Sequence, residues 1–90
     1  LSKVYGPQHV KVGVTWSNLG TVWEDRKDLS KARDCLERAL AINSACLGRS
    51  HPDTAIAISN LGSVVKNQGD FDGAMRLFNE ALEIDRSAFG

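Results

Sequence analysis

The sequence has no net charge, no long apolar run and very little cysteine. Eleven lysines and arginines balance eleven aspartates and glutamates, so nothing draws the chain as a whole toward nucleic acid or an anionic membrane. Neutrality also gives little electrostatic protection against self-association. No apolar stretch approaches the roughly 18 residues of a membrane span. Leu1 to Val10 lacks the apolar core and cleavage site of a secretory leader. Because the chain opens on Leu1 rather than Met, it reads as a piece of a longer protein. Its two cysteines, Cys35 and Cys46, stand eleven residues apart. On one helix that is about 16 Å, too far for a disulfide. Two free, apolar cysteines suit a reducing, cytoplasmic setting.

Catalytic signatures are missing too. No glycine-rich loop cradles a phosphate, because Gly20, Gly62, Gly69 and Gly73 fall at turns or packing positions. No set of serine, histidine and aspartate has helical adjacency, and Glu24, Asp25, Asp28, Glu37, Glu80, Glu83 and Asp85 are scattered over polar faces. A zinc site needs more ligands than His9 and His51 supply. Lys27, Lys31, Arg33 and Arg38 are interleaved with Asp28, Asp34 and Glu37, which spoils a phosphate-tracking stripe. The reading is of a non-enzyme with no cofactor, no metal, no nucleic acid and no membrane.

What is present is a repeat. Laying residues 6–47 on 48–89 matches 12 of 42 positions, where chance gives about two or three. The pairs include Gly6 with Gly48, His9 with His51, Asn18 with Asn60, Gly20 with Gly62, Asp28 with Asp70 and Ala39 with Ala81. Each unit reads as two helices. Pro52 suits a first helical position, and Asp53 favours the first turn. Ile58, Leu61, Val64 and Val65 make one helical face. Gln68-Gly69 stops that helix, and Asp70 caps the next. Ala74, Leu77, Phe78, Ala81, Leu82 and Ala88 form the second stripe. The first unit repeats the pattern with Trp16, Leu19, Val22 and Trp23, then Ala32, Leu36, Ala39, Leu40 and Leu47, with Asp28 as cap. Lys27 replaces Gly69, so that turn needs another geometry or some strain. Val10 replaces Pro52, so the first helix should start less sharply.

The spacing Trp16-x₂-Leu19-Gly20-x₂-Trp23, then Ala32, Leu36 and Ala39, resembles the tetratricopeptide signature. Ile58-x₂-Leu61-Gly62-x₂-Val65, then Ala74, Phe78 and Ala81, keeps the same offsets. Small residues at 20, 32 and 39 let two helices approach closely. The 42-residue period and the connectors Tyr5 to His9 and Leu47 to Asp53 resemble the repeats of kinesin light chains and of long arrays in some nucleotide-binding signalling proteins. The resemblance implies an all-α superhelix: two helix-turn-helix repeats at 6–47 and 48–89, about four helices, with residues 1–5 the tail of a preceding repeat and Gly90 the start of a connector.

It also implies a module that binds a protein or peptide on the concave face lined by the first helices. The candidate contacts are Ser17, Asn18, Thr21, Glu24 and Asp25, with Ser59, Asn60, Ser63, Lys66 and Asn67. An amide both donates and accepts hydrogen bonds, so Asn18 and Asn60 suit a peptide backbone. Their alternative role is a bond to the neighbouring helix that fixes the stacking. A clamp for a C-terminal carboxylate, as in some members, lacks its basic residues: Ser17 and Ser59 stand where its lysine is expected. Glu24 and Asp25 fit a basic ligand better than an acidic one. Trp16, Trp23, Cys35 and Cys46 read as core, and His9 and His51 as caps or exposed residues. Two units leave open apolar ends, where self-association, or a spacer role in a larger protein, is the competing expectation.

Overall fold

The computed structural model describes residues 7–89, with side chains described for residues 11–88. The remnant expected at residues 1–5 and the connector at Gly90 lie outside them. Four helices follow in order: α1 (Pro7–Asp25), α2 (Leu29–Leu47), α3 (Pro52–Asn67) and α4 (Phe71–Phe89). No strand occurs among the described residues. Helix α1 packs on α2, α3 on α4 and α2 on α3, while α1 also touches α3. This is the expected all-α stack of two helical pairs. The first helix starts earlier than the repeat register implies. Pro7 to His9 are helical, so these three residues, expected to form part of a connector, belong to α1.

Both hairpin turns use one device. At the end of α1, Lys27 N–H donates to Glu24 O at 2.9 Å and Asp28 N–H to Trp23 O at 2.9 Å. At the end of α3, Gly69 N–H donates to Lys66 O at 2.9 Å and Asp70 N–H to Val65 O at 3.1 Å. This paired closure requires a left-handed residue after the helix. Gly69 adopts φ +96° and Lys27 φ +68°. The first turn therefore keeps the geometry of the second and accepts the strain of a side chain there. Each turn ends on an aspartate cap. Asp28 Oδ1 accepts from Lys31 N–H at 3.2 Å, and Asp70 Oδ1 from Gly73 N–H at 2.9 Å.

The core lies between the two pairs. Ala32 and Leu36 of α2 meet Leu61, Val64 and Val65 of α3 and Ala74 of α4. A second cluster joins Ala55, Ile58, Ala81 and Ile84, and Leu40 and Leu77 pack against both. The sequence stripes over-reach at the two ends of the stack. Leu19, Val22, Phe78, Leu82 and Ala88 are exposed, while Trp16, Trp23 and Cys46 are half-buried. In the register of the repeat, Phe78 and Leu82 correspond to Leu36 and Leu40, which lie under α3. No described helix lies beyond α4 to cover them. Trp23 still packs against the central cluster, with Lys31 Nζ 4.5 Å above its ring, and Arg38 stands 5.1 Å from the Trp16 ring.

The connector between the pairs is tied on several sides. Buried Thr54 donates its hydroxyl to Gly48 O at 2.8 Å. Arg49 makes a bidentate pair with Glu80 on α4, at 2.7 and 3.0 Å. His51 caps α3, its Nδ1 accepting from Asp53 N–H at 3.0 Å, as the sequence reading allowed.

Candidate functional site

Helices α1 and α3 are equivalent in the repeat and touch side by side, so their matched residues form rungs. Val14 pairs with Ile56, Asn18 with Asn60 and Thr21 with Ser63. Between the helices, with α2 beneath, lies a cleft of about 270 Å³. Ser17, Asn18, Thr21 and Asn60 line it, together with Val14, Asn43, Asp53 and Ile56.

Four of the ten candidate contacts thus converge on one cleft. Asn18 is exposed and Asn60 half-buried, and neither amide bonds to a described residue. Thr21 turns its hydroxyl back to Asn18 O at 2.8 Å, leaving it less to offer a ligand. Three other candidates are committed elsewhere. Glu24 Oε2 accepts from Ser63 Oγ at 2.9 Å and from Asn67 Nδ2 at 3.0 Å. This seam holds the C-terminal ends of α1 and α3 together. Glu24 therefore performs the stacking role that the sequence left open for the asparagines. Asp25 and Lys66 are exposed and Ser59 is half-buried, and none of the three lines the cleft.

Four lining residues escaped the sequence reading. Val14 and Ile56 are 51% and 59% exposed, each one helical turn before the asparagine of its own helix. That i, i+4 placement and their matched register were readable signals. Asp53 was read for its place in the helix, not for its carboxylate. Asn43 belongs to α2 and is 5% exposed. Its Nδ2 makes one long contact, 3.5 Å to Asp53 O, and its Oδ1 has no partner. An unsatisfied buried polar group costs about 1–3 kcal/mol. Glycine at position 13 makes room for it, since a Cβ there would stand 2.6 Å from Asn43 Oδ1. The signal was a polar residue inside the apolar stripe of α2.

The chemistry on offer is hydrogen bonding, apolar contact and the charge of Asp53. Among the described residues no three His, Cys, Asp or Glu side chains gather as a metal site, and no helix is long and apolar enough to cross a membrane. Burial pushes the Cys35 thiol up from its ordinary value, with Asp34 adding to the effect. That disfavours the reactive thiolate. Cys35 and Cys46 are unpaired.

No curated protein matches the chain. A family model described as Tetratricopeptide repeat matches residues 12–87.

Proposed function

Because the chain belongs to the tetratricopeptide-repeat family, whose members are generally protein–protein interaction modules, we propose that its α1–α3 face binds an extended segment of a partner protein. The cleft lined by Asn18 and Asn60 carries this reading. Neither amide is spent on the described residues, and two amides on matched rungs suit a peptide backbone, which alternates donors and acceptors. Val14 and Ile56 supply adjacent apolar walls. The units at 6–47 and 48–89 act together, since the cleft draws on both. The 42-residue period and the Gly-x-x-His connector favour the kinesin-light-chain-like variant of the repeat, and two unpaired cysteines on one helix favour a cytoplasmic setting. The role is binding, without catalysis. A peptide selected for binding from a display library tests the proposal. The double change Asn18→Ala and Asn60→Ala should weaken its binding at least about tenfold, a loss of two ligand hydrogen bonds, with helicity unchanged. Undiminished binding would take both residues out of the site.

A second reading, self-association or a spacer role, rests on one observation. Phe71, Met75, Phe78 and Leu82 follow one face of α4 and are 67%, 63%, 37% and 55% exposed. At the opposite end Leu19 and Val22 on α1 are 39% and 46% exposed. By the repeat register these faces match the two sides of the internal α2–α3 contact, so one chain can stack on another head to tail.

A further inference from the structure

The α1–α3 cleft is not neutral in its demands. We propose that it takes a peptide in which an aliphatic side chain is followed by lysine or arginine, the aliphatic group seated between Val14 and Ile56 and the cation held by Asp53. The inference rests on the binding face proposed above and names the class of ligand for it.

Three observations point the same way. First, Val14 and Ile56 are both more than half exposed and share one rung of the cleft. Two wet aliphatic side chains on one rung give a slot for a third. Second, Asp53 is the one charged residue of the cleft lining among the described residues. Its carboxylate is exposed and enters no ion pair among the described residues. Lys11 stands one turn before Val14 and does not line the cleft. Asp53 lies three residues before Ile56, about one helical turn, so apolar slot and acid are neighbours.

Third, the unfilled polar capacity around Asp53 is of acceptor type. Asn43 Oδ1 is buried without a partner, and Asn43 Nδ2 is already directed at Asp53 O. The Asp53 N–H, which an anion at the start of α3 would otherwise use, is bonded to His51 Nδ1. A carboxylate side chain would bring more acceptors to this corner and meet the Asp53 charge. An ammonium or guanidinium brings donors and the opposite charge.

The test uses the whole 90-residue chain and short labelled peptides, blocked at both ends, that carry Leu-Arg, Leu-Gln or Leu-Glu in an otherwise identical Gly/Ser background. Binding is read by fluorescence anisotropy. The Leu-Arg peptide should bind roughly tenfold tighter than Leu-Glu at low ionic strength, with the gap narrowing as salt is added. Asp53→Asn should bring Leu-Arg to the level of Leu-Gln, and Asp53→Lys should reverse the order, with helicity retained by circular dichroism. Equal binding of Leu-Arg and Leu-Glu, or preference for Leu-Glu, overturns the inference. The variant Ile56→Arg separates the two layers of the argument. If it abolishes binding that was indifferent to peptide charge, the face stands and the ligand class falls. If it leaves peptide binding intact, both fall.

Discussion

A Cβ placed on Gly20 would stand 2.7 Å from Leu36 Cγ, so α1 can lie against α2 at this point only because residue 20 has no side chain. Leu36 is fully buried in the central cluster and has little room to retreat. Gly20→Ala should therefore destabilise the fold by about 1–2 kcal/mol, overpacking outweighing the roughly 1 kcal/mol gain in helix propensity. At the matched position, a Cβ on Gly62 would meet the Phe78 ring at 3.0 Å, but Phe78 is 37% exposed and can swing outward. Gly62→Ala should change stability by no more than about 0.5 kcal/mol. Urea melts of the two variants would check the contrast, and equal effects would show that the approach at Gly20 is not tight.

The strained turn gives a change in the other direction. Lys27 holds φ +68°, where a side chain costs about 1 kcal/mol. Lys27→Gly should stabilise the chain by about 0.5–1 kcal/mol, seen as a higher Tm, because glycine is the preferred residue at this closure.

Acid should loosen the connector. The hydrogen bond from Arg49 holds the Glu80 carboxyl below the usual carboxylate range. A depressed folded value means that the pair's contribution is complete above the unfolded carboxylate value, about 4.3, and is lost as pH falls through the folded one. With the two side chains 51% and 36% exposed, solvent limits the pair to about 1 kcal/mol or less. Chain and Glu80→Gln should therefore differ by a constant amount near neutral pH and converge below about pH 4. A gap that persists at low pH would assign the effect of Glu80 to packing.

The exposed stripe on α4 should govern association. Sedimentation at rising concentration should show the chain self-associating, and Met75→Glu with Leu82→Glu should leave a monomer, since both side chains are more than half exposed and neither change opens a cavity. A monomer at high concentration without any substitution would remove the second reading.

The repeat period, the proline and glycine punctuation and the two aspartate caps were legible because they are local: each depends on residues within one turn or one hairpin. Ile58, Leu61, Val64 and Val65, one helical face in the sequence, are all buried, since α3 is covered on both sides. Leu19, Val22, Phe78 and Leu82 share their pattern but not their burial, because periodicity marks an apolar face without saying what covers it. The cleft was half legible. Asn18 and Asn60 were visible as a matched pair, and their meeting with Val14, Ile56 and Asp53 follows from α1 lying beside α3. Asn43 was not visible, since it reaches the cleft from α2, and neither was the capture of Glu24 by Ser63 and Asn67, which depends on contacts across the repeat.

The most direct measurement is an amide NMR spectrum of the chain with and without a peptide selected to bind it. The account predicts that the largest changes fall on the side-chain amides of Asn18, Asn43 and Asn60 and on the backbone around Val14 and Ile56. Changes confined to the Phe71–Leu82 stripe of α4, or to the indole N–H groups of Trp16 and Trp23, would contradict it and place binding on another surface.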